Sequence, residues 1–218
     1  MGGIGGSNWT RSLALAMLLA LAACGGSPER AQVVKPVDVK ECLRQLDRLE
    51  GLDYRRLADK QAGPSCGLRG AVEVRNIGVV IRGMGPLSCA MTARLHRWIH
   101  SDLQPAARDH LGSEVVAIES YGTYACRPRN NMAGAQPSEH SWANAIDIAG
   151  FRLADGRRIS VLRDWDGRDK RSRKFLRDLH EGGCERFNLV LGPGDDAQHR
   201  DHLHFDMGRF GAQKACRS

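Results

Sequence analysis

The residues able to do chemistry concentrate in two short stretches, Ser138-Glu139-His140-Ser141-Trp142-Ala143-Asn144-Ala145-Ile146-Asp147 and His199-Arg200-Asp201-His202-Leu203-His204-Phe205-Asp206. Two histidines and one carboxylate can fill three corners of a zinc tetrahedron and leave the fourth open to water. That is the arrangement of a hydrolytic metal site. Side chains alternate between the faces of a strand. Ala145, Asp147 and Ala149 therefore share one face, with Ile146 and Ile148 on the other; His202, His204 and Asp206 share a face opposite Leu203 and Phe205. Each segment offers an apolar face to a core and a polar face to a cleft, and the small neighbours of Asp147 leave room for a ligand. If the two strands lie side by side, Asp147 and His204 reach one ion, with His140 entering from a turn or short helix. His202 and His204 point the same way, so the metal is assigned to His204 and an orienting or proton-transfer role to His202. Asp201 faces away from the cleft in a regular strand. It serves as a base only if the chain bends at Arg200–Asp201.

The first stretch resembles the Ser-x-His-x-x-Gly-x-Ala-x-Asp motif of zinc D-Ala-D-Ala peptidases. The second resembles their closing Asp/Glu-x-x-His and the His-x-His motif of the superfamily that includes lysostaphin and hedgehog domains. More closely, Tyr121 to Asp206, including the run Tyr124-Ala125-Cys126-Arg127-Pro128, resembles the extensin-like C-terminal domain of bacterial envelope proteins. The similarity extends from about Cys66 to the C-terminus. The resemblance implies zinc held by His140, Asp147 and His204, with Asp201 in the general-base position and His202 as a catalytic or orienting histidine. It also implies that Arg127 binds substrate or a transition-state oxygen. Ser138 and Trp142 are candidates for substrate contact, although a tryptophan there is more often packing; His199 either supports the ligands or is a loop residue. Two departures stand out. Ala143 replaces the motif glycine, and Asp201 is one methylene shorter than a glutamate base.

The elements that must position these groups read as a mixture. Leu43, Leu46 and Leu49 sit at helical spacing over 40–50. Residues 71–82 read as one strand. Ser88 caps a helix carrying Met91, Leu95, Trp98 and Ile99, which Pro105 should interrupt and Gly112 end. A strand over 114–120 comes next, then a hairpin turning at Asp155-Gly156 between 146–153 and 157–162. The helix over 169–181 is expected to stop at Gly182-Gly183, before strands at 188–191 and 202–206. Without a regular βαβ repeat, this predicts a single α+β domain over 39–218: a mostly antiparallel central sheet flanked by helices, with the zinc site on the sheet face. His96, His100, His110 and His180 read as helix-face residues, and the basic run from Arg168 to Arg177 as a solvated face.

Residues 1–23 read as an export signal whose apolar run is too short to span a bilayer comfortably. Leu21-Ala22-Ala23-Cys24-Gly25 resembles a lipobox, which implies lipid on Cys24 and a flexible tether over 24–38. Removing Cys24 from the seven cysteines leaves an even six, which suggests disulfides in an oxidising compartment. Neighbour pairing predicts Cys42–Cys66, Cys89–Cys126 and Cys184–Cys216, one of 15 possible schemes. The net charge of +7 on an exported chain argues for an anionic envelope rather than nucleic acid. The sequence thus predicts a monomeric envelope lipoprotein, held to the inner or outer membrane by its lipid, that acts on peptidoglycan peptides as a zinc metallopeptidase. The alternatives are a non-catalytic wall-binding module that tethers membrane to peptidoglycan, and a purely structural zinc with four protein ligands.

Overall fold

The Asp38 carboxylate accepts from the backbone N–H groups of Lys40 and Glu41 and caps α1 (Val39–Leu46). The computed structural model describes residues 1–3, 38–208 and 214–217. Cys24, the tether expected before Asp38 and the export signal expected over 1–23, beyond residue 3, lie outside the described residues. Six short strands come after α1: β1 (Asp53–Arg56), β2 (Lys60–Gln61), β3 (Gly67–Leu68), β4 (Ala71–Asn76), β5 (Val80–Arg82) and β6 (Leu87–Ser88). The single strand expected over 71–82 is two. Gly78, at φ 91, turns the chain between β4 and β5, which then join different sheets.

Ser88 caps α2 (Cys89–Trp98), accepting from Met91 N at 3.2 Å. Pro105 does not interrupt the helical run. It sits in the one-turn α3 (Gln104–Ala106), flanked by π-type turns over Ile99–Leu103 and Ala107–Leu111, and the run continues to Gly112 at φ 64. Widening the ladder to i→i+5 absorbs the N–H that proline lacks. The chain continues into β7 (Val115–Gly122), β8 (Ala145–Leu153) and β9 (Arg158–Ser160). The expected hairpin turn lies between the last two, with Gly156 at φ 88 and Leu153 N donating to Arg157 O at 2.9 Å. The second arm is shorter than expected because α4 (Val161–Asp164) starts at its end, where the Asp164 carboxylate accepts from Ser160 N at 2.7 Å.

α5 (Lys170–Arg186) runs straight through Gly182-Gly183. These glycines are spacers, not stops. A Cβ on Gly183 would lie 2.8 Å from the Phe205 ring, and one on Gly182 2.7 Å from the Asp102 carboxylate. The helix can therefore lie directly on the strand that carries His204. β10 (Leu189–Leu191), β11 (Leu203–Asp206) and β12 (Ala215–Cys216) complete the chain.

The main sheet has the order β12-β10-β11-β8-β7-β5, with β9 on β8. It is mixed, not mostly antiparallel, because β5 pairs β7 and β12 pairs β10 in parallel. One face is covered by the helices. Phe205 is wedged between Trp98 and Phe187 at ring separations of 5.2 and 4.9 Å, and Phe151 meets Phe175 edge-on at 5.3 Å. The disulfides are Cys42–Cys89, Cys66–Cys126 and Cys184–Cys216. Neighbour pairing was right only for the last. Packing of α1 on α2 brings Cys42 to Cys89, which leaves Cys66 to staple the β2–β3 hairpin to the segment before Arg127.

Candidate metal centre

Cross-strand register builds the centre. β8 and β11 are antiparallel neighbours, and His204 lies directly opposite Asp147. Their polar faces turn away from the helices, as period-two alternation requires. His140 comes from a short 3₁₀ turn (Glu139–Trp142) just before β8. Ser138 caps that turn, its hydroxyl accepting from His140 N at 3.3 Å. The turn ends at Ala143 with φ 55 and ψ 33, a left-handed conformation that favours glycine. Ala143 donates its N–H to His140 O, and its carbonyl accepts from Ser88 N, so the strained residue locks the His140 turn onto the start of α2.

The facing atoms are His140 Nε2, His204 Nδ1 and the Asp147 carboxylate. His140 Nε2 lies 3.4 Å from His204 Nδ1 and 3.2 Å from Asp147 Oδ2, and His204 Nδ1 lies 2.8 Å from Asp147 Oδ1. Ligands about 2.0–2.1 Å from a tetrahedral ion stand about 3.3–3.4 Å apart. The two spacings from His140 lie close to that edge, and the 2.8 Å between His204 and Asp147 must open by about 0.5 Å. All three residues are buried, at 3%, 8% and 8% exposure.

The outer nitrogens are already committed. The Thr123 carbonyl can only accept, so the His140 Nδ1–H donates to it at 3.2 Å and Nε2 is left as the ligand atom. His204 Nε2–H donates to Asp206 Oδ2 at 2.9 Å, which leaves Nδ1 for the ion. A carboxylate or carbonyl behind each ligating imidazole is the usual means of fixing tautomer and ring orientation. Burial alone would push the His204 pKa down. Hydrogen bonds and charge from Asp147 and Asp206 outweigh it and push it up to about 10. Burial would likewise raise Asp147, but its bonds to His140 and His204 hold it well below the usual carboxylate range.

His202 stands just ahead of β11. Asp201 Oδ1 accepts from its Nδ1–H at 2.8 Å, and its Nε2 points at the cluster, 3.5 Å from Asp147 Oδ1. The chain does bend at Asp201, which lies in a turn, but the bend aims the carboxylate at His202. Tyr121 takes the other oxygen, its hydroxyl donating to Asp201 Oδ2 at 3.3 Å, while its ring lies edge-on to His202 at 5.7 Å. Burial opposes ionisation of Asp201, yet the His202 and Tyr121 hydrogen bonds lower its pKa. Asp201 thus orients the His202 imidazole, whose Nε2 faces the three clustered ligand-type groups. The His199 ring lies 5.2 Å from that of His202, tilted, and 5.8 Å from that of His204, edge-on, with its Nδ1 held 2.7 Å from Asp196 Oδ1. Burial lowers its pKa, with Asp196 opposing.

His140, Asp147, His199, His202, His204 and Asp206 line a cleft of about 570 Å³ together with Arg127, Ser138 and Arg217. Arg127 is fixed by its backbone: its N–H donates to Ser141 Oγ at 3.1 Å, and its carbonyl accepts from the same hydroxyl at 2.9 Å. Trp142 is elsewhere. It lines a separate cavity of about 680 Å³ with Leu68, Arg94 and Met207, so the substrate contact considered for it is not made in the histidine cleft. Two other ligand-type groups converge among the described residues: Asp195, Asp196 and His199, and His180, Cys184 and Cys216. The cysteines of the latter are closed as a disulfide. Sequence reasoning missed Asp206, Tyr121 and the Thr123 carbonyl. Asp206 carried a signal, since it lies two residues beyond His204 on the same strand face. A backbone carbonyl carries none.

The family model described as extensin-like protein C-terminus matches residues 40–217. The chain therefore belongs to that family. No curated protein and no solved structure matches it.

Proposed function

We propose that this member of the extensin-like C-terminal family is a zinc-dependent peptidase of the bacterial envelope, anchored through lipid on Cys24, that cleaves a peptidoglycan peptide bond involving D-amino acids. One observation carries the reading: three buried ligand-type groups converge, two of their spacings close to the edge of a zinc tetrahedron, with an aspartate-oriented histidine beside them. His140 Nε2, His204 Nδ1 and the Asp147 carboxylate would hold the ion. Bound zinc supplies Lewis acidity and lowers the pKa of water to about 7.

The remaining work falls to the chain's own groups. Asp201 holds the His202 Nδ1 proton, so Nε2 is the free base aimed at the cluster. It takes the proton from attacking water and returns it to the leaving amine. Arg127, locked by Ser141, stabilises negative charge developing on the carbonyl oxygen. Three disulfides accord with an oxidising compartment.

The test is digestion of purified sacculi by the zinc-loaded protein, scored as D-alanine released or cross-links cut. His202→Ala should abolish turnover and leave zinc bound. Sacculi that are bound but never cut, with zinc stoichiometric, would replace the peptidase with a wall-binding module.

A further inference from the structure

Two of the three disulfides end one residue before a cleft arginine. Cys66–Cys126 precedes Arg127, and Cys184–Cys216 precedes Arg217. The two arginines approach from opposite sides. Arg127 comes after β7, on one side of the β8–β11 pair that carries Asp147 and His204. Arg217 comes after β12, two strands away on the other side. Arg217 is anchored entirely through its backbone: its N–H donates to Val190 O at 2.9 Å, and its carbonyl accepts from buried His180 Nε2 at 2.9 Å. The side chain is left 66% exposed, and among the described residues its acidic neighbour is Asp195, 3.9 Å away and too far for a hydrogen bond.

Asp147 belongs to the cluster, Asp206 to His204, and Asp196 to His199. Of the other acids lining the cleft, Glu139 accepts from the Asn144 amide at 2.7 Å, and Asp195 lies 4.0 Å from His199. Among the described residues neither Arg127 nor the third cleft arginine, Arg129, meets a carboxylate. Arginines therefore stand on both sides of the cluster, Arg217 with the Asp195 carboxylate 3.9 Å away.

The geometry points to Arg217 as a substrate-binding residue: it holds a free carboxylate of the peptide across the metal cluster from Arg127. This rests on the peptidase reading for the identity of the ligand as a peptide. It adds that the substrate is anionic and that its carboxylate is recognised on the β12 side. An arginine fork suits a carboxylate because two parallel N–H groups match its two oxygens. The disulfide at Cys216 fixes the strand from which the fork projects.

The experiment titrates the full zinc-loaded chain, in the His202→Ala background to suppress turnover, with a short peptide ending in D-Ala-D-Ala and with its C-terminal amide. The acid should bind at least tenfold more tightly than the amide. Arg217→Ala should remove that preference, and Arg217→Lys should restore part of it. The side chain makes none of the strand's docking bonds, so the alanine variant should keep the thermal midpoint of its parent. Cys184→Ser with Cys216→Ser should weaken the acid while leaving the amide unchanged. Equal binding of acid and amide, a preference that survives Arg217→Ala, or no binding of either peptide overturns the assignment. A preference abolished by Arg217→Ala in a chain that never cuts a peptide bond would keep this site and remove the peptidase reading.

Discussion

Asp206→Asn isolates the carboxylate behind His204. The substitution keeps the shape of a side chain that is 4% exposed, and the amide oxygen can still accept from Gly208 N, now bonded at 2.8 Å. What it removes is the charged acceptor 2.9 Å from His204 Nε2. Without it the imidazole is less basic and its ring is no longer held with Nδ1 toward Asp147. Loss of such an outer partner lowers metal affinity by about 10- to 100-fold, which at about 1.4 kcal/mol per tenfold is about 1.4–2.8 kcal/mol. Competition against a chelator of known zinc affinity reads this directly. Asp196→Asn, which touches His199 and no ligand, is the control and should change affinity less than twofold. Equal zinc affinity in Asp206→Asn and the parent would show that Asp206 does not orient a ligand, and the assignment of Nδ1 as the ligating atom would fall with it.

Protonation supplies a second check. His204 titrates near 10 in the metal-free chain, so near neutral pH zinc must displace one proton. Affinity should rise about tenfold per pH unit between about pH 6 and 8, and a flat profile would contradict the site. Because the folded pKa is raised, the His204 contribution to metal-free stability is full below about 6.5 and is lost as pH rises through about 10. Asp147 is depressed, so its contribution is present above the ordinary carboxylate range and lost on acidification. Ala143→Gly relieves the left-handed strain and should add about 0.5–1 kcal/mol of stability, read as a higher urea midpoint, with zinc affinity unchanged; a lower midpoint would mean that the methyl group is packed to advantage. Gly183→Ala forces a Cβ onto the Phe205 ring and should cost about 1–3 kcal/mol. A neutral result would show that α5 and β11 can separate.

The pairing of Asp147 with His204 was legible because strand alternation is a strict two-residue signal, and both segments alternate cleanly between apolar and polar. The capped start of α2 and the Asp155-Gly156 turn were legible for the same local reason. What failed depended on distant partners. Gly182-Gly183 reads locally as a helix stop, and only the ring of Phe205 explains it as a spacer. Pro105 reads as a break, and only neighbouring π turns carry the helix past it. Disulfide choice depends on helix packing, which spacing along the chain does not encode. The two-residue β12 pairs in parallel with β10 and makes one edge of the sheet mixed, yet it is too short to carry a pattern. At the site, the direction of the Asp201 carboxylate was not legible, because it depends on a turn and on Tyr121, 80 residues away.

The central claim is met most directly by diffraction from crystals of the zinc-loaded protein, recorded at the zinc absorption edge. The account predicts one anomalous peak at about 2.0–2.2 Å from His140 Nε2, His204 Nδ1 and an Asp147 oxygen, with the fourth position free of protein. A peak elsewhere, a fourth protein ligand such as His202, or no peak from stoichiometrically loaded protein would contradict it.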